Sequence, residues 1–324
     1  MFWPSSPPVV YKAAFLQSSH VPKPFDTKLL AIMQEDSPIV AIAVFLEQIH
    51  AMSSRGILSS YSLRSSEVDT IEISMPGRRD FECTEDEGFL VSIGKRVVAV
   101  LSPFDHSLLL YANNELAQIK RQHTQRVTAL LTSKNYIVTG GADCIGVVWS
   151  IKNMVHPYLV ITQHRSPITA LDMNESANIL VTGSSDGMLV LFSLTNALYI
   201  RSKRLSKAWP THISILSNGT IFIATCGIGS SHITVYTQNF TEVCSLELHS
   251  PIKCMKAFID NNYDQFVVVA FKNKAVSLIH IPDLAVVWTI SNPEFVATTV
   301  DYHRTSASIV IGCADGRVLI TKRH

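Results

Sequence analysis

Charge is scarce in this chain of 324 residues: Asp, Glu, Lys and Arg together make up 16%, and they balance to a formal +1. Near-neutral charge leaves no basic face of the kind a dedicated nucleic-acid binder needs, so nucleic acid is not expected as a partner. Long apolar runs are missing too. The longest, Ile39 to Leu46, is less than half of a membrane span. No basic, then apolar, then small-residue sequence opens the N-terminus, so a secretory signal is not expected. Cysteine is sparse: Cys83, Cys144, Cys226, Cys244, Cys254 and Cys313 form no C-x-x-C pair and have no His at ligand spacing. That argues against a metal site and for reduced, mostly buried thiols in a cytoplasmic protein. Without an entry signal, the sequons at Asn174, Asn218 and Asn239 read as chance. No Gly-x-Gly-x-x-Gly phosphate cradle occurs, and no cofactor is expected.

What is abundant is apolar and β-branched. Hydrophobic residues are 47%, mean hydropathy is +0.22, and Val and Ile number 30 each. Such a chain can bury a large core, and its stiff side chains suit pleated sheet. Its apolar runs are short and end in turn chemistry, as in Ile137-Val-Thr before Gly140-Gly-Ala-Asp143. Nowhere does a long stretch carry helical periodicity. Many short, evenly spaced strands mean a sandwich, a barrel or a propeller.

A repeat decides among them. One segment reads His123-Thr-Gln-Arg-Val-Thr-Ala-Leu, then Ile137-Val-Thr-Gly-Gly-Ala-Asp143, then Val147-Val-Trp149. A second reads His164-Arg-Ser-Pro-Ile-Thr-Ala-Leu, then Leu180-Val-Thr-Gly-Ser-Ser-Asp186, then Val190-Leu-Phe192. Extending the register gives a ladder of third-strand positions: Tyr61, Leu101, Trp149, Phe192, Tyr236, Ile279 and Thr321. The steps of 40 to 48 residues predict seven four-stranded blades. The chain stops one strand short after Val318–Arg323, and a spare strand, Lys28–Gln34, lies ahead of the first unit. Pairing the two would close the ring and leave little open edge. Residues 1–26, dense in proline, read as an extended leader, and 27–324 as the propeller.

These motifs resemble the WD repeat, in which His, Ser/Thr, Asp and Trp form one hydrogen-bonded group per blade. The resemblance implies an all-β, seven-bladed WD-repeat propeller closed by an N-terminal strand. It assigns blade-group roles to His123, Thr139, Asp143 and Trp149, and to His164, Thr182 and Asp186, with Phe192 in the Trp place. Asp315 lacks its Thr, because Ile311 stands there. His249 also precedes a first strand and reads as a blade cap. The order of a weak N-terminal pair, "VTGGADCIGVVWSI", "VTGSSDGMLVLFSL" and "VDYHRTSASIVIGCADGRVLI" is similar to the C-terminal WD region of BEACH-domain (Beige/neurobeachin-type) proteins. That implies a part in vesicle and lysosome traffic, an upstream BEACH module as partner, and peripheral association with vesicle or endolysosomal membranes.

Catalysis finds little support in the sequence. Gly183-Ser-Ser-Asp-Gly187 fits the G-x-S-x-G nucleophile elbow, but an elbow needs a helix after the turn and a strand follows here. An enzymatic propeller would carry carboxylates or histidines on several inner strands. Val127-Thr-Ala-Leu, Ile168-Thr-Ala-Leu and Ile252-Lys-Cys-Met read as packing instead. The expectation is a non-catalytic platform for other proteins. Its partner-binding rim falls on Gln125, Arg126, Arg165 and Ser166, which share one face with the His–Asp groups. A basic stretch, Arg201, Lys203, Arg204 and Lys207, offers a contact for an acidic partner or an anionic membrane. The rival assignments are a WD subunit of a ribonucleoprotein, ubiquitin-ligase or signalling complex, and an enzymatic propeller.

Overall fold

Each short β-branched run becomes a strand of five to seven residues in most blades, and neighbouring runs pair through the tight turns between them. The computed structural model describes residues 29–321, apart from 46, 74–90, 95–96, 103–104, 114, 207, 227–230, 282 and 292–294. The leader, Lys28, Cys83 and Lys207 lie outside the described residues. The strands make seven separate four-stranded antiparallel sheets, and no helix occurs among the described residues.

Blade 1 is Ile39–Phe45, Gln48–Ser53, Ile57–Ser62 and Val68–Glu72; blade 2 is Val91–Ile93, Val98–Leu101, Leu108–Ala112 and Glu115–Lys120. Blade 3 is Val127–Thr132, Tyr136–Gly141, Gly146–Ser150 and Leu159–Ile161; blade 4 is Ile168–Asn174, Ile179–Ser184, Met188–Ser193 and Leu198–Arg204. Blade 5 is Trp209–Ile215, Ile221–Cys226, Ser231–Tyr236 and Glu242–Leu248; blade 6 is Ile252–Ile259, Gln265–Phe271, Ala275–Ile281 and Val286–Ser291. Blade 7 takes Ala297–His303, Ser308–Cys313 and Arg317–Thr321 from the end of the chain and Leu29–Gln34 from its start. In that last pairing Leu29 lies opposite Thr321 and Gln34 opposite Arg317. Gln34 Nε2 also donates to the Asp315 carbonyl at 3.0 Å.

The ladder position of blade 2 needs correction. Tyr111, opposite Val98, stands where Tyr61 stands opposite Ile49, whereas Leu101 ends the second strand. The connection from Glu72 to Val91 is longer than those between later blades, so equal spacing lands too early.

Seven apolar clusters hold the ring, one in each seam between neighbouring blades. The seam between blades 7 and 1, for instance, joins Val310, Val318 and Ile320 to Ile39, Ile49 and Ala51, with Met33 from the closing strand. First strands touch first strands all the way round, forming the wall of the central channel.

Candidate functional site

Two belts of side chains knit this wall. The first strands of most blades carry a bulge one residue in, where an extra residue re-aims its side chain. Thr128, Thr169 and Thr298 occupy it. Their hydroxyls reach both the second strand of their own blade and the first strand of the next. Thr169 donates to Gly183 O at 3.3 Å or Pro210 O at 2.6 Å, and Thr298 to Gly312 O at 3.0 Å or Ile39 O at 2.5 Å. The second belt lies deeper. Ser92 Oγ accepts from Thr132 N (2.8 Å), Asp172 Oδ2 from Ile215 N (2.7 Å), Ser214 Oγ from Ala257 N (2.9 Å) and Asp301 Oδ2 from Val44 N (3.0 Å).

Lys256 holds the equivalent position in blade 6, opposite Val268 as Asp172 is opposite Val181. Burial pushes the Asp172 carboxyl up to about 6 and raises Asp301 as well. Burial pulls the Lys256 ammonium down, but the Asp301 and Asp172 charges outweigh it and hold the pKa above its ordinary value. The inner strands therefore carry buried charge as well as the apolar packing expected from Val127-Thr-Ala-Leu, Ile168-Thr-Ala-Leu and Ile252-Lys-Cys-Met. Ile168-Thr-Ala-Leu stops one residue short of Asp172, and Ile252-Lys-Cys-Met one short of Lys256. A carboxylate inside a strand, where Asp is depleted, was the available signal.

At one rim the turns between second and third strands meet the loops entering the first strands. In blade 3, His123 Nδ1 donates to the Asp143 carboxylate at 3.1 Å, and Nε2 lies 2.8 Å from Thr139 Oγ1, where an uncharged ring accepts. Asp143 further accepts from Thr124 N (3.0 Å) and Ile145 N (3.2 Å), and its side chain is 4% exposed. Direct His–Asp contact requires Gly141, since a Cβ there would sit 2.3 Å from Asp143 Oδ1 and 2.6 Å from His123 Nδ1.

Blade 4 has Ser184 at that position, and the group changes. Its hydroxyl donates to Asp186 Oδ1 at 2.6 Å and accepts from His164 Nδ1 at 2.9 Å, while His164 Nε2 accepts from Thr182 at 2.8 Å. Asp186 thus reaches His164 only through Ser184, and Arg204 pairs with it from outside at 3.3 Å. Trp149, which the resemblance assigns to the hydrogen-bonded group of blade 3, stands apart from it. It makes no hydrogen bond to Thr139; it is 4% exposed in the seam between blades 2 and 3, with the Lys120 ammonium 5.1 Å from its ring centre. Asp315 pairs with Arg317 in its own turn, Nε to Oδ2 2.6 Å. His249 is exposed and caps no turn among the described residues.

Cys144 follows Asp143 with φ +65°, the left-handed conformation that Gly187 (φ +80°) takes after Asp186. A side chain there costs about 1 kcal/mol. Cys144→Gly is expected to raise the unfolding midpoint modestly, by that order of free energy, and denaturant titration checks it.

His164 yields a pH prediction. It is 5% exposed, and burial drives its pKa down to about 4 from 6.5, against the opposing pull of Asp186. The folded state therefore resists protonation that the unfolded chain accepts. The stabilisation is complete above pH 6.5 and is lost as pH falls towards 4, by roughly 3 kcal/mol. Denaturation of the parent and His164→Gln at several pH values should show their stability difference shrinking by that amount. A difference constant from pH 7 to 4 would mean that the imidazole is not held uncharged.

Of the expected rim, Gln125, Arg126 and Arg165 are exposed and Ser166 is half-buried. Their backbone is fixed by bonds to the turns: Arg126 O accepts from Ala142 N at 2.8 Å, and Pro167 O from Ser185 N at 2.9 Å. The basic stretch is engaged within the ring. Arg201 Nη1 donates to Asn239 O (3.1 Å) and Lys203 Nζ to Phe240 O (2.8 Å), with Lys203 4.5 Å from the Tyr236 ring centre. Together with Arg204 on Asp186, these cations clamp blade 4 to the outer hairpin of blade 5 and to its own turn. Gly183-Ser-Ser-Asp-Gly187 leads into the strand Met188–Ser193, so the elbow geometry is not formed. The thiols of Cys254 and Cys313 are pushed up to about 12 and that of Cys244 to about 11, chiefly by burial.

The fold is a seven-bladed β-propeller, and blades 3 and 4 carry His–Ser/Thr–Asp groups like those of WD repeats. Residues 156–193, from the end of blade 3 through the third strand of blade 4, match the family "WD domain, G-beta repeat". The BEACH domain-containing protein lvsD of Dictyostelium discoideum is 29% identical over 105 residues, 30% of this chain and 4% of that protein. Among solved structures, the WD40 β-propeller domain of Doa1 has a TM-score of 0.71 at 15% identity, covering 92% of this chain and 98% of its own. U3-55K has 0.71 at 12%, covering 92% and 99%. At such identities the likeness is one of fold.

Proposed function

We propose that this propeller is a non-catalytic platform for protein binding and serves a BEACH-like protein in vesicle or lysosome membrane traffic, at the cytoplasmic face. The observation that carries the reading is the rim of blades 3 and 4. Exposed Arg126 and Arg165 stand on loops whose backbone is tied to rigid turns. Loops held by a rigid scaffold lose little entropy on binding, and two guanidinium groups favour a partner face carrying carboxylates. The partial likeness to lvsD supports the BEACH-specific part.

The probe is a purified BEACH module of lvsD, titrated calorimetrically with the full chain. A complex in the micromolar range is expected, weakened about tenfold or more in Arg126→Glu/Arg165→Glu. Lys272→Glu, on another blade, should bind as the parent does. Absence of a complex would overturn the BEACH-specific reading, and unchanged binding by the double variant would overturn the rim.

A further inference from the structure

Six blades place two apolar side chains opposite each other at the same point of their second and third strands. Val138 faces Val148, Val268 faces Leu278, and the other four blades follow suit, each pair buried against the next blade. Blade 1 alone departs: His50 faces Ser60. Their Nδ1 and Oγ atoms are 2.7 Å apart. Facing blade 2, they line a cavity of about 760 Å³ that continues to Ile151 and Met154 of blade 3.

The lining is mixed. Leu58, Ile93 and Met154 give it an apolar floor, and Asn113 and Gln118 add amide groups beside the His50–Ser60 pair. No Lys, Arg, Asp or Glu lines it among the described residues. Burial pulls the His50 pKa below 6.5, so the imidazole is uncharged at neutral pH. A charged guest would lose its hydration and find no counter-charge among the described lining residues, a cost of several kcal/mol. An apolar guest without a polar group would leave the bonding capacity that His50 and Ser60 do not spend on each other, the imidazole Nε2 foremost, without a partner. The volume falls within the range of small-molecule pockets.

We infer that the cavity running from the seam of blades 1 and 2 to Met154 of blade 3 binds an uncharged amphiphile, its apolar body on Leu58, Ile93 and Met154 and its hydroxyl or amide head on the His50–Ser60 pair. This site is separate from the rim and stands whether or not the BEACH reading holds.

The experiment uses the full chain and Nile red, an uncharged dye whose emission rises in apolar surroundings. Saturable emission is expected, with 1-decanol displacing the dye at a concentration at least about tenfold below decanoate or decylammonium, which share its chain but carry charge. His50→Val/Ser60→Leu restores the apolar pair used by the other blades. It should melt at or above the parent temperature and lose binding at least about tenfold. Ser60→Ala, which keeps the space, should retain the dye and weaken decanol competition a few-fold. No saturable emission, equal competition by the charged analogues, or unchanged binding in the filled variant would each overturn the inference.

Discussion

Removal of residues 1–34 is expected to cost about 5 kcal/mol or more and to end cooperative unfolding. The strand Leu29–Gln34 supplies the outer edge of blade 7 and sinks Met33, 5% exposed, into the seam between blades 7 and 1. Burial of one Met side chain is worth about 1.5–3 kcal/mol, and each ladder hydrogen bond adds about 1 kcal/mol net. The deletion also uncovers Arg317–Thr321, which would become an unpaired edge open to pairing with other chains. Denaturant unfolding and size-exclusion chromatography of the shortened chain test this. A monomer with the parent midpoint would show that the closing strand is dispensable.

The architecture was readable because it is written periodically. β-Branched runs alternate with Gly- and Asp-bearing turns at a nearly constant interval, and seven blades follow from counting. The reading failed where periodicity was not the carrier. Blade 2 was misplaced because its connection is longer, and only the pairing of Val98 with Tyr111 fixes the register. The rim groups were visible as motifs, yet their wiring depends on a residue that the motif leaves open. Gly141 admits a direct His–Asp bond, and Ser184 interposes a hydroxyl. Arg201 and Lys203 read as free charge because their acceptors, the carbonyls of Asn239 and Phe240, are main-chain groups some 40 residues away that no composition reveals. His50 and Ser60 draw notice only once the other six blades define what belongs in their place.

Asp143→Ala should destabilise the protein by about 3 kcal/mol, and Asp186→Ala by about 1 kcal/mol. The order follows from the hydrogen-bond wiring of the two groups. Asp143 is buried and accepts from an imidazole and two backbone amides, so its loss strands several donors where water cannot replace it. Asp186 is partly exposed. When it is removed, Ser184 can turn its hydroxyl to Met188 O, 3.3 Å away, and His164 keeps both of its partners. The difference should also carry a pH signature. The Ser184 hydroxyl foremost, opposed by partial burial and aided by Met188 N and Arg204, holds the Asp186 carboxyl below its ordinary value of 3.8. A lowered carboxylate stabilises the fold above its unfolded-state pKa and loses that contribution as pH falls through the folded one. The deficit of Asp186→Ala should therefore be full at neutral pH and fade below pH 4. Denaturation midpoints of both variants and the parent, at pH 7 and near pH 3, make the test. Equal losses in the two variants at pH 7 would mean that Ser184 does not relay the contact, and that blades 3 and 4 are wired alike.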